Sequence, residues 1–229
     1  MGRLLAVALG ALVVSASAAA ARSPTDPTYR PRAADLRVAR KLVLTRADVP
    51  RTFADGGIEN SSGGNDFGCK SPDLHRLVET ADVDGHTFRR QGGTTGFTVI
   101  VSEASVFRSA GEAQRSFDWV NGYGSATITR CFTAAFRAGL SKDAKMAALH
   151  VTPLHRTSGD IELIGWEIRT KIEAYGVWLP VEMRLTGYRR GRALTVLMMT
   201  NAGPGLEAGL VGALSDAVTA KLARTPVGG

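Results

Sequence analysis

The densest run of reactive side chains in this 229-residue chain is NDFGCKSPDLH, Asn65 to His75, with a cysteine, two aspartates and a histidine. Two chemistries compete for Cys69. It could act as a nucleophile, which requires a histidine poised to take the thiol proton. Or it could close a disulfide with Cys131, the only other cysteine. The four histidines, His75, His86, His150 and His155, lie in no recognisable nucleophile motif. Asp66-Phe67-Gly68 matches a kinase triplet, but the glycine-rich loop, strand lysine and H-R-D loop that give it meaning are missing.

Other groupings are weaker. His150 and His155 flank Pro153 in HVTPLH, and their spacing fits no zinc pattern, so no metal or cofactor is expected. Gly92, Gly93 and Gly96 do not lead from a strand into a helix, so they read as turns and not as a phosphate loop. Asn60-Ser61-Ser62 is a formal glycosylation acceptor in an Ala/Arg/Gly-rich sequence of bacterial character.

The redox question is decided by compartment. Arg3 precedes LLAVALGALVVSA and then small residues with A-x-A sites. This is the pattern of a signal peptide over residues 1–20, cleaved between about residues 18 and 21. The expected location is therefore secreted or extracytoplasmic, where an even cysteine count favours the Cys69–Cys131 disulfide. Closing a loop of about 60 residues would contribute roughly 4 kcal/mol in the chain-entropy account.

The full chain carries a formal net charge of +7, from 28 Lys/Arg and 21 Asp/Glu. Seven of the basic residues fall between Arg22 and Arg46. That segment could touch an anionic surface. Nucleic acid is not an expected partner, because the basic residues are not interleaved with aromatics. Residues 21–35, with three prolines, read as a flexible linker, and 36–225 as a single domain.

The firmest element pattern lies in the second half. Ile164, Trp166, Ile168 and Ile172 alternate with charged residues, and the phase reverses from Val177 through Leu179, Val181, Met183 and Leu185. Period two of this length means paired strands around Tyr175-Gly176. Pairing Ala174 with Val177 sets Trp166 opposite Leu185 on one face. On the other it sets Arg169 opposite Glu182 and Glu167 opposite Arg184, so both faces agree. A second turn at Arg190-Gly191 would pair Leu185 with Val196 and Met183 with Met198. LTVLMMT is apolar on both faces, as a doubly covered strand should be. Phe97, Val99 and Val101 alternate before Ala104 and Val106 change phase, which suggests a bulge. AALHVTPL is a shorter strand candidate.

Helices are expected after Ser109, over Arg130–Gly139, and from Pro204 to Thr225, where Leu206, Leu210, Leu214, Val218 and Leu222 recur every fourth residue. The expected class is α+β: an antiparallel sheet with helices packed mainly on one face, the C-terminal amphipathic helix over the apolar face.

KLVLTRADVPRTF (Lys41 to Phe53) and ASVFRSAGEAQRSF (Ala104 to Phe117) resemble two short blocks of small exported actinobacterial domains. These are the family of the extracellular sensor domain of the mycobacterial kinase PknH and its secreted or lipid-anchored relatives. The resemblance, over about 40–225, implies an α/β sandwich that binds or senses a ligand outside the cell, with no catalytic set to carry over.

The cross-strand charge pairs read as surface ion pairs. Trp178, Arg184, Tyr188, Leu197 and Met199 share one predicted face, and form either an exposed docking patch or a buried layer under another segment. The expected function is a secreted, non-catalytic cell-envelope binding or sensor-like domain whose ligand is a lipid, a cell-wall fragment or an envelope protein. The alternatives are a secreted hydrolase with a site assembled from distant residues, and a stabilising subunit of an envelope complex.

Overall fold

The computed structural model describes residues 25–58, 73–92, 96–174 and 176–228. The leader, the 59–72 segment with Cys69, and Tyr175 lie outside the described residues. Four α-helices and ten strands are described: β1 (Thr28–Tyr29), α1 (Ala33–Leu42), β2 (Ala54–Ile58), β3 (Val78–Asp84), β4 (His86–Gly92), β5 (Gly96–Phe107), α2 (Ala110–Gly122), α3 (Ser125–Gly139), β6 (Lys145–Met146), β7 (His150–Ser158), β8 (Ile161–Ala174), β9 (Val177–Arg190), β10 (Ala193–Ala202) and α4 (Ala208–Arg224). The class is α+β.

All strands join one sheet built around the order β3-β5-β10-β9-β8. Only the two-residue β1 runs parallel to its neighbour. The β8–β9 register is the expected one: Ala174 opposes Val177, Trp166 opposes Leu185, Arg169 opposes Glu182 and Glu167 opposes Arg184. The β9–β10 register differs from expectation by two residues, with Leu185 opposite Met198 and Met183 opposite Thr200. The turn falls on Gly191-Arg192, with Gly191 at φ +52°. An even shift keeps every side chain on its expected face, so hydrophobic alternation could not distinguish the two registers. The bulge expected within β5 is not there. β5 pairs with β10 without a break from Phe97 to Val106. The irregularity falls instead where β3 meets it, between Glu79 and Ala81.

The helices divide between the two faces. On one face α1 (Ala39, Leu42) and α4 (Leu210, Leu214, Val218, Leu222) bury Ile100, Ala104, Val106, Tyr188, Leu197 and Met199 in a single cluster. On the other, α3 contributes Ile128 and Phe132 against Trp166, Ile168 and Met183, and Ala113 of α2 packs with Leu77 and Phe107. The C-terminal helix therefore lies opposite the Trp166–Met183 face it was expected to cover. β10 is apolar on both faces because both faces are roofed. The 17 residues of α4 span about 25 Å, close to the span of the nine strand residues from Glu182 to Arg190.

Residues 25–35 are not a free tether throughout. Thr28–Tyr29 pairs with Val78–Glu79, and α1 already begins at Ala33. Asp35 is buried, and its carboxylate takes both arms of the Arg192 guanidinium, at 3.0 and 3.3 Å, and the Thr80 hydroxyl at 2.7 Å. Arg192 also donates to the Phe107 carbonyl at 2.9 Å. Two residues away, Arg190 reaches the far helix: one nitrogen donates to the carbonyls of Leu222 and Ala223 at 2.7 and 2.8 Å, and Nε meets Asp160 at 2.6 Å. These carbonyls would otherwise be the unsatisfied end of α4. One tight turn thus holds both the first and the last helix.

Candidate binding site

Strand alternation places Glu182, Arg184, Thr186, Tyr188 and Arg190 of β9 on the face that α4 covers. The predicted patch is divided by that cover. Tyr188, Leu197 and Met199 have 1%, 0% and 0% of their surface exposed. They are core residues, because α4 and α1 supply the apolar roof. Trp178 lies beyond this roof at the hairpin tip and is exposed. Arg184 sits between the two regimes, half-buried.

The charged residues of this face do not pair as register alone suggests. Arg169 meets both Glu167, at 2.6 Å, and Glu182, at 3.3 Å. The other Glu182 oxygen accepts the Leu206 backbone N–H at 2.9 Å, holding the chain where it turns into α4. Nearby, the Asn201 side chain donates to Thr98 at 3.0 Å and accepts the Gly205 N–H at 3.1 Å. The two carboxylates share one arginine, and Glu182 also holds a backbone amide, so the group is a structural tie.

That choice by Arg169 leaves Arg184 without a partner. Arg189, Arg190 and Arg192, its neighbours on the same hairpin, each hold a carboxylate. Arg184 makes no hydrogen bond or ion pair among the described residues, and its Nε is fully buried and unsatisfied. The Thr195 hydroxyl on the same face is also buried and unsatisfied, while the Tyr188 phenol lies within reach of the Ser215 and Thr186 hydroxyls. Burial raises the Tyr188 phenol's pKa above its ordinary value, against smaller lowering effects from Ser215, Arg184 and Thr186. A buried donor without an acceptor costs about 1–3 kcal/mol, more when it is charged. The Arg184 cation, at the edge of this buried layer, is suited to take up an acceptor-rich, negatively charged group.

The other titratable groupings are surface features. His86 Nδ1 is 2.8 Å from Asp55, and the Gly57 N–H followed by His86 holds the Asp55 carboxyl below its usual range. Ser102 lies against Gly85, the neighbour of His86, and the Gly85 N–H donates to the Ser102 carbonyl at 2.8 Å. However, the Ser102 hydroxyl is buried and accepts the Leu44 N–H at 2.8 Å, so these residues do not form a nucleophile–base pair. His75 pairs with Asp73 on the surface. His150 and His155 are exposed on β7. Among the described residues no group of three potential metal ligands comes together. A depression of about 300 Å³ between the β9–β10 turn and Pro226–Gly228 is lined by Asp160 and Arg190, which already bond each other. Cys131 is buried on α3, and among the described residues no cysteine is free.

The Arg184 vacancy could not be read from sequence, because the register correctly sets Glu167 opposite it and only the side-chain geometry gives that carboxylate to Arg169. The Asp35–Arg192 tie was also missed, its members being far apart in the chain. The His86–Asp55 pair likewise left no local signal.

No protein-family model matches the chain, and no curated protein does. Among solved structures the chain is similar to the extracellular domain of PknH from Mycobacterium tuberculosis, with 13% identity over 84% of this chain and 97% of that one, at a TM-score of 0.41. The likeness is a loose one. It agrees with the resemblance expected from the two short blocks only at that level, and nothing about ligand or activity follows from it. Among the described residues no helix is long and apolar enough to cross a membrane.

Proposed function

We propose that the chain is an exported, non-catalytic binding module of sensor-like type, whose ligand presents a carboxylate or phosphate to Arg184. Such a group belongs to an acidic lipid or a cell-wall fragment of the envelope. The observation that carries this reading is the half-buried Arg184 guanidinium, unpaired among arginines that all hold carboxylates. Placing a cation there is unfavourable unless an anion completes it. Export rests on the leader pattern, and the Cys69–Cys131 disulfide follows from export.

Native mass spectrometry of the protein purified from its own envelope tests the reading. The wild type should carry an acidic adduct, and Arg184→Met should lose it while remaining as stable or gaining up to about 1 kcal/mol, because an uncompensated charge is removed. An adduct retained by Arg184→Met would refute it, as would a clear loss of stability in that variant.

A further inference from the structure

A separate surface lies at the far end of the β8–β9 hairpin. β10 ends at Ala202, opposite Val181, so residues 177–180 of β9 project past their neighbour on that side. The last rungs, Glu173 opposite Trp178 and Ala174 opposite Val177, form the tip. One rung inward Ile172 and Leu179 are buried, but Val177 and Trp178 are 49% and 48% exposed. They are two of the four exposed large hydrophobic side chains among the described residues.

Successive strand residues point to opposite faces, so Trp178 and Val177 project on the two sides of one thin blade. A folded partner resting on either face would cover only one of them. A medium that the tip enters end-on covers both. Behind the tip lies a basic collar. Lys171 is exposed opposite Pro180, about 7 Å back along the strand from Trp178. Lys145 pairs with Glu173 at 3.2 Å, and Lys142 is exposed just before it. Among the described residues here three lysines stand against two carboxylates, Glu173 and Asp143, a small excess of positive charge. Tryptophan favours the water–hydrocarbon boundary, and lysine stems can lie along it with the ammonium among head groups.

We infer that the β8–β9 tip inserts Val177 and Trp178 into the surface of an anionic lipid bilayer, with Lys171, Lys145 and Lys142 set against the head groups. This inference does not rest on the Arg184 site and would survive its failure.

The test is co-sedimentation of the full chain with phosphatidylglycerol/phosphatidylcholine vesicles and with pure phosphatidylcholine vesicles. The wild type should bind the anionic vesicles, with a blue shift of tryptophan emission. Val177→Ser/Trp178→Ser should weaken binding about tenfold or more, through the lost apolar contact. Lys171→Glu should weaken it about fivefold or more on anionic vesicles only. Trp178→Phe should retain most of it. Both serine positions are exposed, so an unchanged melting temperature will show the variant is folded, and Lys171→Glu supplies a second reading independent of it. Equal binding by the wild type and the double serine variant would overturn the inference, because any contact through the leader or the basic N-terminal segment would persist in both. Failure of the wild type to bind would overturn it too, as would a dimer that the same variant dissolves without any vesicle binding.

Discussion

Asp35→Ala removes the carboxylate that ties α1 to the β9–β10 turn. Three hydrogen bonds to a charged group disappear, two from Arg192 and one from Thr80. Breaking a buried ion pair from one side typically costs about 3–5 kcal/mol, because the remaining charge is left unpaired. Arg192 keeps its bond to the Phe107 carbonyl and has 18% of its side chain exposed, which places the expected loss near the lower end, about 3 kcal/mol. Against a typical total of about 5–15 kcal/mol this is a large fraction. In urea denaturation followed by fluorescence, a slope of about 2 kcal/mol/M turns it into a midpoint shift of about 1.5 M. The double variant Asp35→Leu/Arg192→Met, with no charge left to strand, should recover most of the loss. Acid gives a second reading. Burial raises the Asp35 pKa, but hydrogen bonds from Arg192 and Thr80 outweigh it and hold the carboxyl below its ordinary 3.8. The unfolded chain therefore binds this proton first, and the tie contributes fully above that value and is lost as pH falls through the lower folded one. The gap between wild type and Asp35→Ala should accordingly close in strong acid. A single-variant loss below about 1 kcal/mol, or a double variant as unstable as the two singles combined, would refute the reasoning.

Two further outcomes are expected. A Cβ at Gly165 would lie 2.1 Å from the Leu185 carbonyl oxygen and 2.9 Å from the Thr186 Cα, so Gly165→Ala should cost about 3 kcal/mol or more in a thermal melt. Gly212→Ala, on α4 with open space around it, should instead stabilise by about 0.5–1 kcal/mol; equal effects at the two sites would contradict the close strand approach. Mass spectrometry of the unreduced, exported protein should find Cys69 and Cys131 linked in one peptide pair, and two free thiols would remove the disulfide from the account.

What the sequence could disclose follows from how locally each feature is encoded. The β8–β9 register was legible because apolar and charged residues alternate on both strands and agree across both faces. The β9–β10 register was ambiguous by two residues, because Gly191 permits turns at adjacent positions and parity hides the difference. The prolines of 21–35 masked a short strand and the start of a helix. The repeat of Asp35, Ala39 and Leu42 that anchors α1 straddled the expected boundary. Within the candidate patch, β10's double-faced apolarity did signal two roofs, but it could not say which helix served which face. That choice separated exposed Trp178 from buried Tyr188, Leu197 and Met199.

The turn that carries Arg190 and Arg192 has a consequence for biogenesis. The opening helix cannot seat its aspartate until residue 192 of a 229-residue chain has been made, and the closing helix is fastened two residues earlier in sequence. A polypeptide emerging from its amino end must therefore keep the Asp35 carboxylate without its arginine through most of synthesis, and such long-range closure folds slowly. The body should assemble late and all at once, and a chain truncated before that turn should be a substrate for proteases and holdases, with no stable fragment left behind.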